Sequence, residues 1–301
     1  MTGANSGTGL TTTAQLARQG AHVIAACRRL SAAQEAMKQL AGSSGSIAVM
    51  ELDLGSLASV RRFAEAFLNG HGALHGLVNN AGVMNSPRGR TEDGFETQIG
   101  INYLGHFLLT ELLLDRLQAS APSRIVCVSS VAHAGMQWKP ATLELDDLHF
   151  ERRPYDGTLA YNQSKLALVV YARHLGARLQ GTGVSAFSTH PGWVRSNLVQ
   201  HTAPAWVQNV LLRPLGGLFG LISPEDGAAT QLHCLLDDDA PKHSGGYFSQ
   251  IGILYANAKD RDGGWPMRSP NPLVYDDALA ERLFSLSRSL VGLARVPGDA
   301  V

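Results

Sequence analysis

Cysteine is scarce in this chain: three in 301 residues, Cys27, Cys127 and Cys234, widely spaced and odd in number. That excludes a disulfide framework and a thiol-built metal site, and implies free thiols in a reducing, cytoplasmic setting. Eleven histidines include no HExxH, and no CxxC exists to complete a zinc site, so no metal is expected. Charge is sparse and balanced, with 25 basic and 25 acidic residues and a net charge of zero. Nothing in that balance favours nucleic acid or another polyanion as partner. A secretory leader is also lacking, because Met1 runs straight into Thr2-Gly3-Ala4-Asn5 without a basic or apolar region. Long apolar runs are missing. The best, Ala205 to Ile222, is interrupted by Arg213, Pro214, Gly216, Gly217 and Gly220, too short and broken to span a bilayer. It reads as a mobile lid or a shallow membrane-contacting segment, and a substrate lid is placed near 194–222.

What is present is an alternation of short apolar runs with longer helical ones. Strands are expected at Ala21–Cys27, Ile47–Asp53, Leu74–Asn79, Arg124–Val128 and Val184–His190. Helices are expected at Gly9–Gln19, Ser31–Leu40, Ser56–Leu68, Asp93–Leu117 and Gly157–Leu179. Strands apolar on both faces, each followed by a helix, imply a doubly wound parallel α/β sheet. No linker, repeat or low-complexity tract divides the chain, so residues 1–301 read as one domain. One part is out of place. A glycine-rich turn should follow a strand, and here it follows one methionine, so the first and normally central strand is expected to be missing.

Thr2-Gly3-Ala4-Asn5-Ser6-Gly7-Thr8-Gly9 opens the first helix. Glycines in such a turn let a pyrophosphate approach the amides at a helix N-terminus. The next strand ends at Cys27-Arg28-Arg29, where an NAD-preferring site would carry an acid for the ribose 2′-hydroxyl. Arg28 instead suits a 2′-phosphate, which favours NADP(H) over a merely solvated basic pair. Asp53-Leu54 could close the adenine end of a dinucleotide pocket, and Asn79-Asn80-Ala81-Gly82 could floor the cofactor and also tie strands together, the two roles not being exclusive. Tyr161 and Lys165, four residues apart on a helix, share a face. A nearby ammonium would lower the pKa of the phenol toward the range in which it can exchange protons. Taken alone, that spacing equally describes a half-buried tyrosine with a snorkelling lysine. Ser129-Ser130, directly after an apolar strand, adds a hydroxyl at the strand's C-terminal edge, where ligands bind in such sheets.

These motifs together resemble the short-chain dehydrogenase/reductase family, in order and spacing: TGANSGTG at 2–9, DL at 53–54, NNAG at 79–82, Asn102 in INYLGHF, VSS at 128–130, YNQSK at 161–165 and HPGWVRS at 190–196. The resemblance implies a single Rossmann-like domain and a tetrad of Asn102, Ser130, Tyr161 and Lys165. It casts Ser130 as the bond to the substrate oxygen, Tyr161 as the proton carrier, Lys165 as holder of the nicotinamide ribose and Asn102 as support for a water relay. It further implies cofactor contacts from Gly3, Asn5, Ser6, Gly7, Thr8, Gly9, Arg28, Asp53, Leu54, Asn80, Ala81, Gly82, Tyr161, Lys165, Pro191, Gly192, Val194 and Ser196. AACRR at 25–29, DGFET at 93–97, NYLGHFLLT at 102–110, SSVAH at 129–133 and LQGTGVSAFSTHPG at 179–192 are similar to the retinol dehydrogenase-like branch. That branch implies NADP(H), a small lipophilic aldehyde, ketone or alcohol as substrate, and homo-oligomers. It also implies contact with the endoplasmic reticulum membrane.

Two departures stand out. Thr8 replaces the usual isoleucine, and extra residues around Gln137-Trp138-Lys139-Pro140 imply a larger loop beside the substrate. Trp193, Trp206, Val207, Leu211 and Leu212 read as either pocket cover or core. His133 and His190 are expected to be polar lining residues, the Asn162-Gln163-Ser164 sequon unused, and Asp237-Asp238-Asp239 a solvated helix end. The missing strand leaves a second reading open: a catalytically silent form with a binding or regulatory role, its inner sheet edges unpaired.

Overall fold

The computed structural model describes residues 1–40, 42–194, 222–249 and 266–294. Apolar residues alternate along the strands and cover both faces of the sheet. Leu77, Ile125 and Cys127 join the larger core cluster, while Val78, Val126 and Val128 point into a second cluster behind it. That period of two is what a parallel sheet wrapped on both sides requires.

The elements run α1 (Gly7–Arg18), β1 (His22–Cys27), α2 (Leu30–Lys38), β2 (Ser46–Glu51), α3 (Leu57–Gly70), β3 (Gly76–Asn79), α4 (Gly105–Ala119), β4 (Ser123–Val128), α5 (Gly157–Arg178), β5 (Val184–His190), α6 (Pro224–Leu236), β6 (Tyr247–Ser249) and α7 (Asp277–Leu290). Every strand pair is parallel, in two ladders, β2-β1 and β3-β4-β5-β6. Helices α3, α4 and α5 cover one face, and α1, α2 and α6 the other. The doubly wound class is as expected. β6, α6 and α7 are elements beyond those expected.

Met1 and Thr2 stand between β1 and β3, where the missing strand was expected. The Thr2 amide donates to Val78 O at 3.0 Å, Ala26 donates to Met1 O at 2.9 Å, and Gly3 donates to Ala26 O at 2.9 Å. The C-terminal ends of β1 and β3 are therefore bridged at the point where the glycine turn leaves the sheet. Only upstream of these bonds do the two ladders remain separate.

The expected helix over Asp93–Leu117 is a composite. Glu96 accepts from the amides of Gln98 and Ile99, starting a single α-turn at Thr97–Ile99. A π-helical stretch, Gly100–Leu104, follows before α4 proper. A side-chain cap, invisible to periodicity, sets the true start. The π turn matters because it holds Asn102, and such turns recur at functional sites.

Helix α7 lies on α5. The Tyr103 hydroxyl meets Ser287 at 2.8 Å, and buried Glu111 binds Arg178 at 3.0 Å and Arg288 at 3.1 Å. With a carboxylate that deep, two guanidinium partners and the Tyr171 hydroxyl, at 2.9 Å, offset the loss of water.

Candidate active site

The C-terminal edge of the sheet gathers the expected residues. Gly3 adopts φ +62°, a region open to glycine, and a side chain at Gly9 would collide with Gly3 O at 2.2 Å. Those two positions bring the turn tightly onto the start of α1. Ser6 is the N-cap residue, yet its side chain makes no capping bond, and the first turn carries no acid. Backbone donors there are offered to an external anion, so the turn fits a pyrophosphate.

Thr2, absent from the expected set, pins this turn. Its hydroxyl oxygen accepts from the amides of Asn80 at 2.9 Å and Ala81 at 3.0 Å. Asn80 returns a bond from its side-chain amide to Thr2 O at 2.9 Å, while its Oδ1 accepts from Thr8 at 3.0 Å. Of the two roles open to Asn79-Asn80, the structure displays the tie between segments, with Asn79 Nδ2 donating to Thr110 at 2.8 Å. Ala81 passes against the turn, its Cα 3.0 Å from where a side chain at Gly3 would begin.

The Thr2 hydroxyl also meets His106 Nε2 at 2.8 Å, while His106 Nδ1 lies 2.9 Å from Asn102 O. A carbonyl only accepts, so Nδ1 carries the proton and Nε2 accepts from Thr2. Burial pushes the His106 pKa down to about 4, which keeps the ring neutral in this role. The signal in sequence was the histidine four residues after Asn102, one helical turn on. Without the partner Thr2 it had no meaning.

Asn102 is wholly buried. Its Oδ1 accepts from the Val83 amide at 2.8 Å, and its Nδ2 donates to Val83 O and to Ser164 Oγ, each at 2.9 Å. Ser164 in turn donates to Tyr161 O at 2.8 Å. Lys165 Nζ donates to Val128 O at 2.9 Å and sits 5.7 Å from the centre of the Tyr161 ring. Any side chain at Gly82 would come 3.1 Å from Asn102 Oδ1 and 3.5 Å from Lys165 Nζ. Both groups therefore face one small clearing.

Ser130 is the N-cap of a 3₁₀ turn, Val131–Ala134, its hydroxyl accepting from the Ala132 amide at 3.2 Å. Burial pushes the Tyr161 phenol up to about 12, with the Ser130 hydroxyl pulling against it, and burial pushes Lys165 down to about 8. Desolvation is the larger effect on the phenol in this structure, and the Lys165 ammonium is held by the Val128 carbonyl. A protonated phenol beside a hydroxyl is an arrangement that donates a proton to an oxygen.

Other expected residues flank this centre. Arg28 is exposed at the end of β1. Asp53 falls past the end of β2, in the turn, where its Oδ1 accepts from Gly55 at 2.8 Å. Leu54 is buried beside the first turn of α4. Pro191 and Gly192 follow β5, and Val194 forms a parallel bridge with Ile222. Ser196 and nearly all of the lid, with Trp206, Val207, Leu211 and Leu212, lie outside the described residues. Among the described residues no histidine, cysteine and carboxylate cluster could hold a metal, and no helix is long and apolar enough to cross a membrane.

His133 and His190 are buried within the protein, not lining a surface, and Trp193 is half exposed. Asn162 has no exposed surface, which agrees with an unused sequon. The loop around Trp138 is a tight turn closed by a Met136–Lys139 bridge. It is fastened to the start of α5 by Thr158 donating to Gln137 at 3.1 Å, by Asn162 donating to Lys139 O at 3.2 Å and by a Lys139–Asp156 ion pair.

The short chain dehydrogenase family model matches residues 1–141. Retinol dehydrogenase 11 of Homo sapiens is 39% identical over 301 residues, covering 97% of this chain and 85% of that protein. An uncharacterised protein from Mycobacterium paratuberculosis superposes with a TM-score of 0.74 at 35% identity, over 97% of this chain and 92% of that one. The RhlG/NADP active-site complex of Pseudomonas aeruginosa superposes with a TM-score of 0.63 at 25% identity, over 82% and 92%. With the glycine turn, Ser130, Tyr161 and Lys165 arranged as described, the chain belongs to the short-chain dehydrogenase/reductase family, in its retinol dehydrogenase-like branch, and is an NAD(P)-dependent oxidoreductase of alcohols and carbonyls.

Proposed function

We propose that this protein interconverts a lipophilic aldehyde or ketone and its alcohol, using NADP(H), with Tyr161 as the proton carrier. The observation that carries the reading is the buried Tyr161 phenol with Lys165 Nζ 5.7 Å from its ring centre and the Ser130 hydroxyl acting on it, at the carboxyl edge of the sheet. Similarity to a retinol dehydrogenase supports a lipophilic substrate. Arg28, exposed where an acid would select NAD, supports the 2′-phosphate.

The glycine turn and the α1 N-terminus would hold the pyrophosphate, and Lys165 the nicotinamide ribose. Bound there, a nicotinamide supplies or accepts the hydride. In reduction, Ser130 and Tyr161 both bond the carbonyl oxygen, and the phenol gives that oxygen its proton as negative charge develops there. Lys165 steadies the phenolate left behind, and Asn102 fixes the backbone of Val83 and the helix around Ser164. In oxidation the same proton returns from the alcohol to Tyr161.

The test is NADPH-linked reduction of all-trans-retinal by the wild type and by Tyr161→Phe. Turnover should vanish in the variant while NADPH binding, followed by its fluorescence, stays within about twofold, because only the transition-state contact is removed. Retained turnover would overturn the assignment of Tyr161.

A further inference from the structure

The Ser130 hydroxyl can serve Tyr161 only if its turn is held still, and the hold comes from the far end of the chain. His133 lies three residues after Ser130 and has no exposed surface. Its Nδ1 is 2.7 Å from Ser130 O, an acceptor only, so that nitrogen carries the proton. Its Nε2 is then an acceptor, 2.8 Å from the Ser269 hydroxyl and 136 residues away in sequence. Ser269 Oγ already accepts from the Asn271 amide at 3.1 Å, which directs its own proton to His133. Asn271 completes the grip: its Nδ2 donates to His133 O at 2.8 Å and to Ala141 O at 3.0 Å. Ser269 and Asn271 are themselves buried, and Asn271 Oδ1 caps the following 3₁₀ turn at Leu273.

Both carbonyls of the serine turn, Ser130 O and His133 O, are thus fastened to one short segment, Ser269-Pro270-Asn271. Neither nitrogen of His133 is left to exchange a proton with a substrate. We propose that Ser269 and Asn271, acting through His133, are positioning residues that set the Ser130 hydroxyl against Tyr161. This rests on the reading of Ser130 and Tyr161 as the reacting pair. Burial pushes the His133 pKa down to about 4, in keeping with a ring that stays neutral while it links two segments. The titratable groups around it are Tyr247, whose ring centre is 4.6 Å away, and His190; Lys165 acts on His190 in turn.

The experiment compares Ser269→Ala, Ser269→Thr, His133→Asn and the His133→Asn/Ser269→Ala double variant with the wild type. The probes are NADPH with all-trans-retinal and with straight-chain aldehydes from hexanal to dodecanal, using whichever the wild type reduces. Ser269→Ala should lower kcat about tenfold with KM for NADPH within about twofold, because general-acid geometry is disturbed and cofactor binding is not. The alkaline limb of the kcat profile should move to higher pH, since a displaced Ser130 no longer stabilises the phenolate. Ser269→Thr, which keeps the hydroxyl, should restore both. The double variant should be no slower than His133→Asn alone, because both changes cut one chain of bonds. Ser130→Ala and Tyr161→Phe serve as controls. If those controls turn over normally, the reading of the site fails. If they are silent but Ser269→Ala keeps the native kcat and alkaline limb and loses only thermal stability, the positioning role is overturned. Losses that multiply in the double variant overturn it as well.

Discussion

The Thr2 hydroxyl and His106 Nε2 meet at 2.8 Å, joining the start of the glycine turn to the first turn of α4, and His106 Nδ1 in turn reaches Asn102 O in the π-helical stretch before it. Thr2 also accepts the amides of Asn80 and Ala81, so one side chain serves three segments. Thr2→Val would leave two buried donors without an acceptor, at about 1–3 kcal/mol each. Thr2→Ser keeps the oxygen and should lose about 1 kcal/mol, the share of a buried methyl. Urea denaturation of the two variants checks the difference.

Acid should destabilise the fold before it reaches the usual carboxylate range. His106 and His133 have folded pKa values of about 4 and His190 of about 3, each depressed by burial. Depressed values mean that the unfolded chain takes up protons first. The stability these rings contribute is therefore complete above their unfolded value of about 6.5 and is lost as pH falls toward their folded values. His106 and His133 each account for about 3 kcal/mol over that window and His190 for about 5 kcal/mol. Glu96, raised by burial, acts in the opposite sense, while His149 and His174, also depressed by burial, act with the three rings. Denaturation midpoints at pH 7.5, 6 and 5 should fall steeply, and His106→Gln should flatten the slope.

Gly82→Ala probes the clearing shared by Asn102 and Lys165. The added methyl would sit 3.1 Å from Asn102 Oδ1, which must give by a few tenths of an ångström, and at ordinary contact distance, 3.5 Å, from Lys165 Nζ. The expected result is a kcat lower by about tenfold or more, with the fold retained, since misplacement of about 1 Å at a reacting centre costs up to about a hundredfold. Steady-state kinetics with circular dichroism as the control would show it, and unchanged kcat would contradict the placement.

Arg28→Glu should exchange the cofactor preference. A charge-assisted contact with the 2′-phosphate is worth about 1.5–3 kcal/mol, so NADPH should bind about 10- to 150-fold more weakly. NADH should bind as well as before or better. Fluorescence titration with both nucleotides gives the comparison, and equal effects on the two would remove the argument from Arg28.

Gln137 and Trp138 occupy the left-handed region at φ 54° and 63°, and Trp138 is fully exposed. Neither residue favours that backbone, which suits Asn-Gly in a two-residue turn. Gln137→Asn with Trp138→Gly should raise stability by about 1 kcal/mol in urea denaturation. If the tryptophan is kept to meet lipophilic substrates, the same change should raise KM for retinal and leave KM for NADPH unaltered.

Much of the fold was legible because covered parallel strands are apolar throughout and β-α alternation has one economical topology. Tyr161, Lys165, Ser130 and Asn102 could be picked out because their motifs carry local spacing. Thr2, His106, His133 and Ser269 could not, since each gains meaning from a partner far away in the chain. The break in the helix before α4 was missed for a related reason: a glutamate cap and a π turn leave the apolar pattern intact.

Local chemistry in the sequence determined which residues would stand at the carboxyl edge of the sheet, and in what order. The tertiary structure alone decided two matters. One was how the first strand position is filled: Met1 and Thr2 bridge β1 and β3 through long-range backbone bonds that no local pattern records. The other was the protonation of the Tyr161–Lys165 pair, where burial drives the phenol up and the ammonium down. Desolvation depends on everything packed around a group, so four residues of helix spacing could name the pair but not set its state.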